Sequence, residues 1–152
     1  MLKVGEKLPA GSLMEFVEVE GNGCSIGPNS FDIAQSTAGK TIAIFALPGA
    51  YTPTCSAKHV PGFVEHADAF KAAGVDEIWC VSVNDAFVMG AWGRDQHTAG
   101  KVRMMADGSA AFTAACVRTR SKYAVAARRV TSRCRPASAA SLERTTCFAT
   151  RF

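Results

Sequence analysis

An α/β fold is predicted, a central mixed β-sheet flanked by helices on both faces. Three observations predict it. "TIAIFAL" (41–47), "EIWCVSV" (77–83) and "KVRMMAD" (101–107) are short apolar runs of strand length. The first is continuous and rich in β-branched and aromatic residues, as suits a strand buried on both faces. Each run is followed by a stretch with helical spacing or a helical start, and alternating strands and helices build a parallel or mixed sheet.

The elements follow in chain order. "SLMEFVEV" (12–19) alternates loosely and reads as a short strand, and "EGNGCSIGPNS" (20–30) reads as a turn-rich loop. Pro48-Gly49 ends the first buried strand. After Cys55, the residues Phe63, Ala67, Phe70 and Gly74 stand three or four apart, with Gly74 a natural C-cap. Pro61 lies inside this pattern and should kink or restart the helix. "DAFVMGAWGRDQHTAG" (85–100) predicts a second helix ending at Gly100, and "GSAAFTAA" (108–115) starts another helical turn. Beyond Ala115 the pattern fails: residues 116–152 hold one short apolar run, "YAVAA", and no sustained period. Two units are therefore expected: a domain over 1–115 and a basic, arginine-rich segment over 116–152, too poor in periodic apolar residues to order strongly.

Bulk composition narrows the function classes. The 152 residues, 48% hydrophobic and 20% charged, suit one domain with a sizeable core. No segment nears the roughly 20 apolar residues that span a bilayer. "MLKVGEKLPAG" lacks the apolar stretch of a secretory signal, so the expected location is cytoplasmic, where thiols stay reduced. The net charge of +4 is uneven. Residues 1–115 hold 8 Lys+Arg against 12 Asp+Glu, while residues 116–152 hold 9 Lys+Arg against Glu143 alone. A tail of +8 suits phosphate contacts, but it has few aromatic residues and no nucleic-acid motif, so nucleic acid is not the expected partner.

Six cysteines (24, 55, 80, 116, 134 and 147) include no CxxC pair, so neither a zinc site nor a disulfide framework is indicated. "GNGCSIG" (21–27) misses the GxGxxG spacing, and "AGKT" (38–41) lacks the upstream glycine of a P-loop. No cofactor or metal is expected. Trp79 and Trp92 read most simply as core.

The informative stretch is "LPGAYTPTCSAKHVPG" (47–62), in which three prolines and two glycines crowd around one cysteine. In α/β folds, reactive groups gather at the carboxyl ends of strands. A thiol in the first turn of a helix also faces free N–H groups and the positive end of the dipole, which favour the thiolate. Pro48 and Pro53 restrict the loop. Thr52, three residues before Cys55, can turn its hydroxyl into the same pocket, to donate or to accept. His59, at i+4, could orient the loop or act as a base. From spacing alone, Cys55 reads equally as a reactive thiol or as a small buried residue. Cys80, inside "EIWCVSV", reads as a buried strand residue.

Residues 48–93, "PGAYTPTCSAKHVPGFVEHADAFKAAGVDEIWCVSVNDAFVMGAWG", resemble the type II (peroxiredoxin-5-like) peroxiredoxins, and the likeness runs from about Val4 to Ala115. The resemblance implies a thioredoxin-like fold and a thiol peroxidase acting on hydrogen peroxide and alkyl hydroperoxides. It implies Cys55 as the peroxidatic nucleophile, Thr52 as a hydrogen-bonding partner of peroxide and thiolate, and Pro48 as a shield of the sulfur from water. Cys80 matches the place of a resolving cysteine in some members; others are recycled by glutathione, glutaredoxin or thioredoxin. The class also implies a monomer or a weak homodimer. The family's catalytic arginine falls on Lys122 in "RTRSKYAV", with Arg120 two places earlier as a substitute, and lysine lacks the planar fork. The expected alternative to a working peroxidase is a peroxiredoxin-derived chain with impaired or no activity, its basic tail acting as a binding segment. The Arg, Ala, Ser and Thr bias of that tail also fits out-of-frame translation of a GC-rich gene.

Overall fold

A computed structural model describes residues 7–17, 27–117 and 146–147. In chain order the elements are β1 (Ser12–Val17), β2 (Gly27–Asp32), α1 (Ile33–Thr37), β3 (Ile42–Ala46), a π-helical turn (Cys55–His59), α2 (Val60–Glu65), α3 (Ala67–Ala72), β4 (Glu77–Ser82), α4 (Ala86–Asp95), β5 (Arg103–Ala106), α5 (Ala111–Val117) and β6 (Thr146–Cys147). The strands order as β2-β1-β5-β4-β3-β6. β3 is parallel to β4 and β6, and β4 to β5, while β1 is antiparallel to β2 and β5, so the sheet is mixed.

The period of two explains why the central runs are apolar throughout. Along β3, β4 and β5, the side chains of Ala43, Phe45, Ile78, Cys80, Met104 and Ala106 enter one core cluster, with Cys55, Val60, Met89 and Trp92 from the helices. The alternate residues Ile42, Ile44, Trp79, Val81 and Met105 enter the other, with Ile33 of α1 and Phe112 of α5. Each face needs its own helical layer to exclude water. α4 reaches the sheet closely: a Cβ on Gly90 would come within 2.6 Å of Phe16, and one on Gly93 within 2.9 Å of Met104.

The structure departs from the sequence reading in four places. Gly27–Ser30, expected in a loop, belong to β2, the edge strand paired to β1; an edge strand is where a sheet tolerates a proline such as Pro28, which has no N–H to donate. The helix expected over 63–74 is in two pieces that meet at His66, and it begins earlier, at the π-helical turn, with Pro61 near the start of α2. Gly74 does close it: at φ 87 it donates to Lys71 O, and Val75 N–H donates to Phe70 O, a Schellman closure. α4 ends at Asp95 rather than near Gly100, because His97 takes the left-handed position (φ 53) and Thr98 N–H donates to Gly93 O. Finally, α5 runs to Val117, so the boundary expected after Ala115 falls inside a helix.

Candidate active site

The carboxyl end of β3 leads straight into the corner. Leu47 N–H still donates to Val81 O at 3.1 Å, extending the β3–β4 ladder by one rung. The chain then turns through Pro48–Thr52. Pro48 is exposed. Tyr51 adopts φ 60, a left-handed conformation rare for a bulky residue and costly by about 1 kcal/mol or more. It persists because the surroundings fix it from several sides. Ala50 N–H donates to Asn84 Oδ1 at 2.9 Å, and Tyr51 Oη donates to Asp95 at 2.9 Å. The Tyr51 and Trp92 ring centroids are 6.1 Å apart.

Thr52 closes the turn and opens the helix. Its Oγ1 donates to Gly49 O at 3.0 Å, and its carbonyl accepts Ser56 N–H at 3.0 Å. A hydroxyl has one proton. With that proton on Gly49 O, the Thr52 oxygen presents its lone pairs and is set up to accept. Cys55 follows in the first turn, only 1% exposed and unbridged. Its carbonyl accepts Val60 N–H, five residues on, which makes the turn π-helical. Such wide turns are rare and concentrate at functional sites. Trp92 Nε1 donates to Ser56 Oγ at 3.1 Å and ties this turn to α4.

His59 does not sit as the α-helical i+4 spacing suggested, because the turn is wider. Its ring lies 5.2 Å from Phe45 and 5.6 Å from Phe63, in an aromatic stack, and burial lowers its pKa so that the neutral ring is favoured. Cys80 lies on β4 opposite Phe45, fully buried in the same cluster as Cys55. Burial pushes its thiol well up, and the neighbouring Cys55 adds to the shift. Lys122 and Arg120 lie outside the described residues.

Pro48, Thr52 and Cys55 thus lie along one continuous turn, and Cys80 shares a buried cluster with Cys55. Sequence reasoning missed Asn84, Ser82, Ser56 and Asp95, and took Trp92 as core only; it is core, but its indole N–H also holds the cysteine turn. The signal for Asn84 was available: it follows a buried strand at the same edge of the sheet, where the rule applied to Cys55 applies equally. A groove of about 490 Å³ along α2 and α3, lined by Phe63, His66 and Phe70, holds neither Thr52 nor Cys55 and is a separate feature.

A buried thiol behind a Pro-x-x-x-Thr-x-x-Cys turn, on a mixed sheet with helices on both faces, is the arrangement of a thioredoxin-like thiol enzyme. The redoxin family profile matches residues 3–131. A crystal structure of reduced Prx3 with hydrogen peroxide from Vibrio vulnificus is 41% identical, covers 82% of this chain and 74% of that one, and superposes with a TM-score of 0.69. The chain therefore belongs to the redoxin family and, within it, to the peroxiredoxins. A Burkholderia cenocepacia structure described as a candidate thioredoxin reductase is 64% identical over 80% of this chain and 72% of that one, with a TM-score of 0.75. Peroxiredoxin-2E of Arabidopsis thaliana, a chloroplastic protein, is 45% identical over 112 residues, which are 74% of this chain and 46% of the relative. The chain thus spans about half the length of that curated relative. Among the described residues no helix is long and apolar enough to cross a membrane.

Proposed function

We propose that the protein is a thiol-specific peroxidase that reduces hydrogen peroxide and alkyl hydroperoxides through Cys55. The observation that carries this reading is the Thr52–Cys55 corner, in which an acceptor-ready hydroxyl and a buried sulfur share one turn. The Cys55 thiolate attacks one oxygen of the hydroperoxide. An S–O bond forms, the O–O bond breaks, and the other oxygen leaves as water or alcohol after taking the proton that the thiol gave up. Cys55 becomes a sulfenic acid. Thr52 accepts from the hydroperoxide O–H and aligns it, and Pro48 limits water at the sulfur. Arg120 or Lys122 supplies the cation that faces the leaving oxygen.

Recycling takes two thiols from outside on either route: directly at the Cys55 sulfenic acid, or on a Cys55–Cys80 disulfide formed first with loss of water. A glutathione or glutaredoxin thiol attacks the sulfenic sulfur, water leaves, and a second thiol releases the mixed disulfide; thioredoxin would do the same with its own pair. Since Cys55 is buried, the π-helical turn must open locally first. Cys80 is the resolving thiol only if β4 yields as well, because in place it is buried and held as the neutral thiol. The cytoplasm is proposed as the compartment, since this chemistry needs a reducing one. A thioredoxin reductase, the description attached to the Burkholderia structure, is not favoured here: the glycine-rich stretch 21–27 lacks the GxGxxG spacing of a dinucleotide site. A second reading, an impaired peroxiredoxin-derived chain whose tail binds a partner, rests on the +8 charge of residues 116–152 and on Lys122 at the arginine's place.

Peroxide consumption, measured with glutaredoxin and glutathione or with thioredoxin, tests the proposal. Turnover in the wild type and none in Cys55→Ser supports it. Turnover that survives Cys55→Ser would show that another group does the chemistry, and no turnover with any reductant would favour the impaired reading.

A further inference from the structure

We infer that Asn84 is the positioning residue of this site: its side-chain oxygen sets the Pro48–Thr52 turn from across the sheet edge. The inference rests on the peroxidase reading above for its kinetic consequence, though not for its structural one.

The geometry is specific. Asn84 Oδ1 accepts two hydrogen bonds, from Ala50 N–H at 2.9 Å and from Ser82 Oγ at 2.7 Å. A backbone N–H can only donate, so the atom facing Ala50 is the amide oxygen and not its nitrogen. Ser82 is the last residue of β4 and 2% exposed, and its carbonyl accepts Asp107 N–H at 2.8 Å. The Asn84 oxygen is therefore anchored on the sheet itself, at the ends of β4 and β5, and reaches from there to the loop that follows β3.

What it holds is the one residue before the strained position. Ala50 precedes Tyr51, whose φ of 60 must be over-determined by its neighbours. The Tyr51–Asp95 bond holds the ring from outside, at a residue that is 51% exposed. Asn84 holds the backbone from inside. Only with Tyr51 left-handed does the chain double back so that Gly49 O meets Thr52 Oγ1 and Thr52 O meets Ser56 N–H. Asn84 thus acts through Ala50 and Tyr51 on Thr52, and through Thr52 on the alignment of a hydroperoxide against Cys55. It touches neither sulfur nor substrate.

The test uses the full chain with Asn84→Ala, which removes the acceptor, and Asn84→Asp, which keeps it. Amide hydrogen exchange at Ala50 should lose protection in Asn84→Ala and keep it in Asn84→Asp, and this readout is independent of any peroxidase activity. The second-order rate of Cys55 with hydrogen peroxide should fall about 10- to 100-fold in Asn84→Ala, as for a displacement of about 1 Å. Its rate with iodoacetamide, which needs the sulfur but no aligned O–O bond, should change less than about threefold. Asn84→Asp should recover most of the peroxide rate. Unchanged Ala50 protection in Asn84→Ala overturns the inference, as does a parallel fall of both rates or a failure of Asn84→Asp to restore the peroxide rate. If Asn84→Ala does not fold, Ser82→Ala, which removes the anchor and leaves Asn84, should show the same split with a smaller amplitude, and no split there overturns the inference too. A wild type without any peroxide reaction defeats the peroxidase reading, while the exchange experiment still decides for or against the clamp.

Discussion

The two ends of the parallel strands are held by different physics. At the amino ends of β4 and β5, charges meet. Arg103 donates to Glu77 at 2.8 Å and to Glu15 at 2.6 Å, its guanidinium lies over Phe31 (4.8 Å) and Trp79 (5.4 Å), and Lys40 reaches Glu77 as well. Partial burial pushes the Glu77 carboxyl up, but the bonds from Lys40, Trp79 and Arg103 outweigh it and bring its pKa to about 2. At the carboxyl ends, the bonds around Cys55 are neutral: Ala50 to Asn84, Thr52 to Gly49, Trp92 to Ser56. Of the carboxylates there, Asp85 and Asp107 serve as helix caps, for Val88 N–H and Thr113 N–H, and Asp95 accepts from the exposed Tyr51 hydroxyl. The lesson is a division of labour. Ion pairs tie strands together at the amino ends, and at the carboxyl ends a strained turn is held mainly by uncharged donors and acceptors, with Asp95 on the exposed Tyr51 hydroxyl as the exception.

The comparison makes opposite demands on variants at the two ends. Glu77→Ala leaves a half-buried Arg103 with one carboxylate instead of two; we expect a loss of about 2 kcal/mol, between the surface and buried limits, with no change in peroxide rate per folded molecule. Urea unfolding beside a peroxide assay checks both halves, and a loss of activity without a loss of stability would erase the distinction between the ends. Ser56→Ala removes the acceptor of the Trp92 indole N–H and leaves the core ring in place; we expect about 1 kcal/mol, seen mainly as faster amide exchange over Cys55–His59 and only weakly in global unfolding. A uniform acceleration across the sheet would show that the turn is not a separate unit.

Acid should reach the two ends at different pH. The folded pKa of Glu77 is depressed, so its contribution is present above the unfolded value near 4.5 and is lost as pH falls toward about 2, on the order of 1 kcal/mol after allowance for solvent screening. Unfolding free energy from pH 5 to 2 in wild type and Glu77→Gln measures it, and equal slopes would remove the amino-end network from the account. The smallest effect concerns His59. Its folded pKa lies below 6.5, so the unfolded chain takes up the proton first and stability declines as pH drops below about 6.5. His59→Phe should flatten the profile between pH 7 and 5; an unchanged slope would mean that the ring does not titrate through folding.

Much of this fold was legible because its central strands are buried on both faces. A run such as Ile42-Ala43-Ile44-Phe45 needs no alternation when both sides meet helices, and that is why apolar continuity marked β3 and β4. β2 was not legible. Pro28 and Asn29 carry turn propensity, and only pairing with β1 along the edge makes them a strand. The end of α4 was misread because a glycine was the expected stop, whereas His97 accepts the left-handed geometry and Thr98, buried, secures it.

By itself the sequence determined the local order of the cysteine corner. Proline, threonine and cysteine at fixed spacing after a buried run are covalent facts, and spacing along a chain fixes what shares one turn. The tertiary structure alone decided what surrounds that turn. Asn84 stands 34 residues from Ala50, Trp92 36 residues from Ser56 and Asp95 44 residues from Tyr51. No local propensity encodes such contacts; they exist because parallel strands bring their carboxyl ends to one edge, where loops distant in sequence must satisfy one another's donors and acceptors.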